Sequence, residues 1–538
     1  MERNLKPIST GNPNFREIIE NGNLYIDKTK YIYNLISNKS VDNIFFLSRP
    51  RRFGKSLTVD TLEQIFKGNK ELFKGLYTYD KYDFEEYPVI KLSMNIVPTY
   101  DLGEFLYSLR NDVLMPVARE YGIEDGFPKE GASPSSWLRY LIDRLSWKYG
   151  KKVVVLIDEF DYPLLDSLNN DIYNDIKVRI DSFYGVLKPS LDSIRFCFIT
   201  GITRFQHVSI FSKLNNLIDI SSSPEYAALC GYTDEELDYY FAPYIQKYYE
   251  DNNIVEQEER EEFRKSIKDY YDGYCFSDDL KTTIYNPVSV GVFFNGGCSF
   301  RNFWINTGFQ TIVNDVVKRH PEFFSSDSMI EIGRNSMASL EVKNLQMDDV
   351  TAFDVYSYLV QAGYLTIKGI SGGRYVLGYP NLEVKDTMET ALLSSSYGLG
   401  IYSDDFGELR RCFSTGETSK IIETFHKFYV RFPYDMSLEK ERGYQIAFVA
   451  VLKALSFDSV DVEEKTNIGR MDISVKDDLY YIIELKLDES AEKAFKQIKE
   501  KRYYEKYEKK GNTIHLLGIN FSSKERNIRD WKEEVVRK

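Results

Sequence analysis

A Gly-Lys-Ser tripeptide near the N-terminus lies between a short apolar run and a helical pattern. It ends the stretch Arg49-Pro-Arg-Arg-Phe-Gly-Lys-Ser56. Backbone N–H groups at the start of a helix bind anions, and the helix dipole strengthens the binding. After a turn at Gly54, Lys55 would neutralise the β- and γ-phosphates of a nucleoside triphosphate, and Ser56 would bind Mg²⁺. The stretch predicts a nucleotide-binding loop with ATP as its ligand; the alternative is an ordinary basic turn.

Three arginines accompany this loop. The usual pattern is G-x-x-x-x-G-K-[ST], and Arg49 stands where its first glycine is expected. Arg51 and Arg52 lie inside the loop, which favours phosphate binding or a basic entrance to the site over structural salt bridges.

Two adjacent acids follow the clearest buried strand of the sequence. The run Val153-Val-Val-Leu-Ile157 leads directly into Asp158 and Glu159. Asp158 would hold Mg²⁺ through water, and Glu159 would orient and activate the attacking water. Such acids often belong to a solvated loop, but their position after a nucleotide-binding loop favours the catalytic interpretation.

A third polar stretch, Thr200-Gly-Ile-Thr-Arg204, ends the next predicted strand. Thr200 is placed to sense the γ-phosphate or to position water. Arg204 could contact phosphate in its own chain or, in a homo-oligomer, in a neighbouring subunit. A structural salt bridge at Arg204 is an equally good interpretation.

A second group of chemically active residues lies near the C-terminus. Asp472 belongs to one predicted strand, and Glu484 and Lys486 end the next. Residues two apart on a strand point to the same side, and a turn at Asp477-Asp478 could bring Asp472 beside them. Two close carboxylates bind Mg²⁺ or Mn²⁺, and a lysine can assist a water, which is the chemistry of phosphodiester hydrolysis. An exposed polar face of the strand is the alternative.

A basic segment follows this pair. The sequence predicts a helix from Ala491 to Tyr507, and eight lysines and arginines from Lys493 to Lys510 are interleaved with tyrosines and glutamates. Basic groups with aromatic side chains could hold a nucleic-acid strand. The mixed charges fit a solvated amphipathic helix equally well.

The elements that must position these residues alternate between strands and helices. Strands separated by helical connections predict a parallel sheet covered on both faces. The predicted strands of this α/β region are 43–47, 89–94, 153–157, 194–199 and 217–220, and strands are also predicted at 471–475, 479–485 and 514–520.

The domain organisation follows from changes in these patterns. A helix followed by a hairpin within 350–379 suits a winged-helix module, for which a spacer or protein-contact role is favoured over DNA binding. The predicted domains are a nucleotide-binding domain at 1–232, a helical region at 233–348, the winged-helix-like module at 349–388 and a C-terminal α/β domain at 389–538.

Composition limits the remaining possibilities. The net charge is −13 over 538 residues, which argues against a protein that coats nucleic acid with its whole surface. Five dispersed cysteines and four histidines predict reduced thiols and no zinc site. The polar start and the lack of a long apolar run predict a cytoplasmic protein without a membrane segment.

The N-terminal motifs resemble those of the bacterial AAA-ATPase-like family. Its members commonly carry R-P-R-R-F-G-K-S, so that arginine at the first glycine position is usual there. The segments Leu156-Ile-Asp-Glu-Phe-Asp-Tyr-Pro163, Thr200-Gly-Ile-Thr-Arg-Phe205 and Tyr285-Asn-Pro287 also match its pattern. The resemblance extends over residues 4 to 310 and implies a P-loop fold of the AAA-like branch.

The C-terminal motifs resemble the PD-(D/E)XK nuclease domain that is often fused behind this ATPase. The matching segments are Asn467-Ile-Gly-Arg-Met-Asp472 and Tyr481-Ile-Ile-Glu-Leu-Lys486. The resemblance implies that Glu441, on a preceding helix, joins the metal site. It also implies that Gln497 and Tyr503 belong to the Q-I-x-x-x-x-Y helix of that domain. Gln445 stands where a histidine is often found, so that histidine's role has no counterpart here.

Together these residues predict an ATP-binding and ATP-hydrolysing protein coupled to a metal-dependent nuclease. DNA is the expected nucleic acid by analogy with the nuclease fold. The alternative is a nucleotide-gated switch whose C-terminal fold binds nucleic acid or protein but does not cut.

Overall fold

The chain divides into two compact units, which are described separately. One comprises residues 1–307 and 329–384, and the other 308–328 and 385–538. The computed structural model describes residues 5–37, 43–168, 170–203, 217–304, 313, 330–333, 351–388, 404–431, 441–453, 455, 457, 459–465, 470–476, 479–502, 504 and 513–536.

The N-terminal unit is built on a five-stranded parallel sheet of order β2-β3-β4-β1-β5. All five strands coincide with predicted strands. Every residue of β3 is buried, so both faces of the sheet are covered, because strand side chains alternate between faces. The strands are β1 (Ile44–Ser48), β2 (Val89–Ser93), β3 (Val153–Asp158), β4 (Ile194–Gly201) and β5 (Leu217–Asp219).

Helices connect and cover these strands. Two of them, α3 and α6, pack against β3. The helices of this part are α1 (Phe15–Glu20), α2 (Thr29–Ile36), α3 (Lys55–Phe66), α4 (Leu102–Ser108), α5 (Met115–Glu120), α6 (Pro134–Tyr149), α7 (Tyr162–Asp166) and α8 (Tyr173–Gly185).

A helical region follows the sheet, as its sequence predicts. Its aromatic side chains form a core that includes Phe241, Phe263, Tyr271 and Phe293. Its elements are α9 (Asp234–Tyr240), α10 (Ala242–Asp251), α11 (Gln257–Tyr271), the hairpin β6 (Tyr274–Cys275) and β7 (Thr283–Ile284), and α12 (Pro287–Asn295).

The predicted helix-plus-hairpin is present at the end of this unit. A capping box at Thr351 starts α13 (Ala352–Ala362), and Gly363, with φ 87°, ends it. The hairpin strands β9 (Thr366–Ser371) and β10 (Arg374–Gly378) gain a third partner, β8 (Ile330–Gly333), giving the order β8-β10-β9.

The C-terminal unit contains a mixed five-stranded sheet of order β11-β12-β13-β14-β15. The parallel pair β13–β14 is joined through a helix, and the other pairs are antiparallel. The strands are β11 (Ser459–Lys465), β12 (Arg470–Lys476), β13 (Tyr480–Leu487), β14 (Ile514–Ser522) and β15 (Asn527–Val536), and the helices are α14 (Asp404–Thr415), α15 (Thr418–Arg431), α16 (Glu441–Lys453) and α17 (Ala491–Lys501).

Helices lie on both faces of the C-terminal sheet. Tyr481, Ile483 and Leu485 of β13 pack into a core with α14, α15 and α16. The alternate residue Ile482 packs with Phe495 of α17. Both units combine sheets with helices, so the chain is a mixed α/β protein, as predicted.

The helix after β13 is shorter than the sequence predicts. It ends at Lys501 rather than Tyr507, because Arg502 adopts a left-handed conformation with φ 47°. A non-glycine residue with positive φ interrupts helical hydrogen bonding, and residues 505–512 lie outside the described chain.

Candidate functional site

The predicted nucleotide-binding loop joins β1 to α3. Gly54 caps α3 with φ 95°, a left-handed conformation in which glycine is favoured. Lys55 is buried, and its Nζ donates to the carbonyl oxygens of Arg49 and Pro50 at 3.0 and 2.9 Å. Burial lowers the Lys55 pKa, and the charges of Glu159 and Asp158 oppose this shift. The loop therefore holds the buried lysine beside two of its own carbonyl oxygens.

Arg49, which stands where the general pattern has a glycine, has a structural role. Its guanidinium is buried and donates to the carbonyl oxygens of Ser48, Ser221 and Tyr226 at 2.8, 2.7 and 3.2 Å. It also lies 4.5 Å from the ring centre of Phe276. The side chain thus ties the loop to a segment more than 170 residues away in sequence.

The two arginines inside the loop have a different environment. Arg51 and Arg52 are exposed and line the same cavity as Lys55 and Ser56. Arg52 has φ 66°, and partial burial and the neighbouring charge of Arg51 lower its pKa. Their exposure at the cavity agrees with the predicted basic entrance.

The acids predicted to act in hydrolysis lie at the end of β3. Asp158 is buried, and Thr200 at the end of β4 donates from Oγ1 to Asp158 Oδ1 at 2.5 Å. Glu159 has φ 51°, and its N–H donates to Thr200 Oγ1 at 3.4 Å. Burial raises the Glu159 pKa, against the lowering effect of Lys55. The structure therefore brings Lys55, Asp158, Glu159 and Thr200 together.

Asp161 also lies at this edge of the sheet, although the sequence motif assigned it no role. Its Oδ2 accepts from the backbone N–H groups of Ile202 and Thr203 at 2.9 and 2.7 Å and from the Thr203 hydroxyl at 2.7 Å. The side chain is 1% exposed, and burial raises its pKa. Asp161 thus fixes the segment after β4 against the Glu159 turn. The signal in the sequence was an acid inside the otherwise apolar Phe160–Leu165 stretch.

A cavity of about 590 Å³ opens on the loop. It extends along α3 from Gly54 to Thr61 and reaches the N-terminal segment around Ile26. Glu159 lines it, whereas Arg204 lies outside the described residues. The cavity has the size of a small-molecule site.

The C-terminal unit brings together three predicted residues. Glu484 is 1% exposed, and Lys486 Nζ lies 3.4 Å from its Oε1. Gln497 of α17 donates from Nε2 to the same Oε1. Glu484 and Lys486 therefore lie on the face that α17 covers, as their spacing predicts.

The remaining predicted nuclease residues are only partly described. Asp472 lies on β12 and Glu441 begins α16, but their side chains, and all of Tyr503, lie outside the described residues. In the antiparallel pairing of β12 with β13, Ile473 lies opposite Ile483. Continuing this register by one residue puts Asp472 opposite Glu484. Within the described side chains, no three His, Cys, Asp or Glu residues form a group able to hold a metal.

Three of the described lysines of α17 have acidic partners. Lys493 pairs with Glu489 at 2.7 Å, Lys496 with Glu500 at 3.5 Å, and Lys499 with Glu534 at 2.5 Å. These pairs agree with the alternative of a solvated amphipathic helix for this stretch. All five cysteines are free and buried, as predicted.

Comparison with known families agrees with both halves of this description. Residues 9–211 match the model of the predicted AAA-ATPase family, and residues 439–531 match that of the PD-(D/E)XK nuclease superfamily. The chain belongs to the predicted AAA-ATPase family in its N-terminal region and to the PD-(D/E)XK superfamily in its C-terminal region.

One relative matches along nearly the whole length. A protein of Azotobacter chroococcum mcd 1, described as an uncharacterized protein in the vnfD 5′ region, is 31% identical over 547 residues, with 98% of each chain covered. This chain belongs to the same family. A solved structure of the Aeropyrum pernix ORC2 protein, in ADPNP–ADP complexes, is similar at 12% identity and a TM-score of 0.26, covering 73% of this chain and 97% of that one. No helix in the described part of the chain is long and apolar enough to cross a membrane.

Proposed function

We propose that the N-terminal unit binds ATP with Mg²⁺ and hydrolyses it. The observation that carries this proposal is the convergence of Lys55, Asp158, Glu159 and Thr200 at the ends of adjacent parallel strands. Open α/β sheets bind ligands at the carboxyl ends of their strands. An AAA-ATPase-like fold, to which this region belongs, supports the same conclusion.

Each residue has a distinct role in this proposal. Lys55 stabilises the charge on the transferred phosphoryl group, and Ser56 and Asp158 are the oxygen donors suited to Mg²⁺. Glu159 accepts the proton of the attacking water. Thr200 positions that water and Asp158. Arg204 is proposed to contact the γ-phosphate from this chain or from a second copy.

We propose further that the C-terminal unit is a metal-dependent nuclease acting on DNA. The carboxylates of Asp472, Glu484 and Glu441 are hard oxygen donors of the kind that Mg²⁺ and Mn²⁺ prefer. A divalent cation there would supply an activated water and charge stabilisation for phosphodiester hydrolysis. Lys486, 3.4 Å from Glu484, is placed to stabilise the negative charge that develops on the phosphate. Gln497 holds the Glu484 carboxylate in position.

A second candidate is a nucleotide-gated switch whose C-terminal fold does not cut. One observation favours it: Glu484 is 1% exposed, and its carboxylate already accepts from Gln497 and pairs with Lys486. A buried and partnered carboxylate is costly to open for a metal and substrate. The intact set of acids and lysine favours the nuclease.

The experiment that separates these functions is cleavage of plasmid, linear and single-stranded DNA with Mg²⁺ or Mn²⁺, with and without ATP. The native full-length protein is compared with Lys55→Ala and Asp472→Ala. We expect cleavage that Asp472→Ala abolishes and that responds to ATP only when Lys55 is present. ATP hydrolysis without cleavage of DNA or RNA would instead establish the switch.

A further inference from the structure

The cavity beside the loop continues beyond the space that phosphates need. It follows α3 from Gly54 to Thr61, which corresponds to roughly 10 Å at the rise of an α-helix. Beyond the loop its lining combines apolar side chains, among them Leu24, Ile26 and Tyr232, with polar residues such as Thr58 and Thr61. A mixed extension of this length is suited to the sugar and base of a nucleotide.

One charged side chain lies in this part of the cavity. The charged residues among the described lining are Arg51, Arg52, Lys55 and Glu159, all from the phosphate region, and Lys28. Lys28 is 8% exposed, and its Nζ lies 6.0 Å from the ring centre of Tyr232. A buried lysine in an apolar wall is expensive unless it has a partner.

The partner of Lys28 is Glu236, at the start of α9. Lys28 Nζ and Glu236 Oε2 are 2.5 Å apart. The same oxygen accepts from the Thr233 N–H at 2.8 Å, while the Glu236 N–H donates to Thr233 Oγ1 at 3.2 Å. This capping box fixes the carboxylate. The ammonium is therefore anchored by one of its three donors, which leaves it two further donors.

We infer that Lys28 is a specificity-determining residue of the nucleotide site and donates a hydrogen bond to an acceptor atom of the nucleobase. Glu236 orients the Lys28 side chain. Burial lowers the Lys28 pKa, and the Glu236 charge opposes that shift. The inference rests on the proposed nucleotide binding. It also links the base to α9, the first helix after the nucleotide-binding sheet.

The test compares two ligands that differ only in the base. Affinities of the full-length protein are measured for ATP and for ribose 5′-triphosphate. The variants are Lys28→Met, the double variant Lys28→Met with Glu236→Gln, and Lys30→Met as the matched control on exposed α2 surface. Lys28→Met alone leaves the largely buried Glu236 carboxylate unpaired and could prevent folding. The double variant removes both charges, so it avoids this cost and keeps the test informative.

We expect the double variant to bind ATP about tenfold more weakly than the native protein, which is the effect of losing one charge-assisted hydrogen bond. Its affinity for ribose 5′-triphosphate should stay within about twofold of the native value. Lys30→Met should bind both like the native protein. Equal weakening for both ligands, or unchanged ATP affinity, would overturn the role of Lys28. Native protein that binds neither ligand would instead refute the proposed function, and this inference with it.

Discussion

Thr200 and Asp158 are joined by a hydrogen bond of 2.5 Å from the threonine Oγ1 to the aspartate Oδ1. The parallel pairing of β3 with β4 puts Ile157 beside Ile199, so the two residues that follow are neighbours at the strand ends. The same hydroxyl accepts from the Glu159 N–H at 3.4 Å. One threonine hydroxyl therefore contacts the carboxylate of Asp158 and the backbone of Glu159, the two acids proposed for hydrolysis.

Replacing Thr200 with valine should slow hydrolysis without preventing ATP binding. Valine keeps the shape but leaves the buried Asp158 without its donor, so the carboxylate loses its orientation. We expect kcat to fall by about tenfold or more, with a small change in KM. Steady-state ATPase kinetics measure both constants. Thr200→Ser keeps the hydroxyl and should retain most activity; a fully active valine variant would contradict the role of Thr200.

The pH dependence of hydrolysis should report Glu159. Burial raises its pKa above the ordinary value of 4.5. A general base acts only when deprotonated, so kcat should fall as the pH drops through this raised pKa. The decrease in kcat should therefore lie above pH 4.5, the ordinary pKa of a glutamate. Single-turnover rates across pH measure the limb.

The control for this profile is Glu159→Gln. It should keep ATP bound while hydrolysis is lost, because the amide cannot accept the proton of the attacking water. A glutamine variant that hydrolyses ATP with the native pH profile would exclude Glu159 as the base.

Replacing Arg49 with the glycine of the general G-x-x-x-x-G-K-[ST] pattern should destabilise the protein. Arg49→Gly removes three hydrogen bonds to buried carbonyl oxygens and the contact with Phe276. Unsatisfied buried acceptors and the resulting cavity should lower the free energy of unfolding by about 3 kcal/mol. Chemical denaturation of the full chain measures the change.

Arg49→Lys is the informative companion variant. It keeps the charge but cannot reproduce the planar set of donors, so it should restore only part of the lost stability. If Arg49→Gly were as stable as the native protein, the structural role of the guanidinium would be refuted.

The sheet of the N-terminal unit could be predicted because its strands are short apolar runs between helical patterns. The two edge strands of the C-terminal sheet, which the sequence did not predict, lack that signal. β15 carries Arg529, Asp530, Lys532, Glu533 and Glu534 at an edge of its sheet, and β11 is similarly polar at the other edge. An edge strand exposed to solvent needs few apolar residues, so its pattern resembles that of a loop.

The site was predictable in its motifs but not in its supporting contacts. Asp158 and Thr200 lie at the ends of β3 and β4, and Lys55 follows β1 on the other side of β4, so the topology brings the three residues together. Arg49 and Lys28 depend instead on partners 172 and 208 residues away, which no local pattern indicates. Their burial and hydrogen bonds therefore required the folded chain.

The measurement that tests the central claim most directly is ATP hydrolysis by the full chain and its Lys55→Ala variant, with Mg²⁺ present. Lys30→Ala, on the exposed surface of α2, is the matched control. We predict hydrolysis by the native protein and by Lys30→Ala, and a loss of about a hundredfold or more in Lys55→Ala, because the phosphates lose their buried cation. Hydrolysis by Lys55→Ala at the native rate would contradict the account.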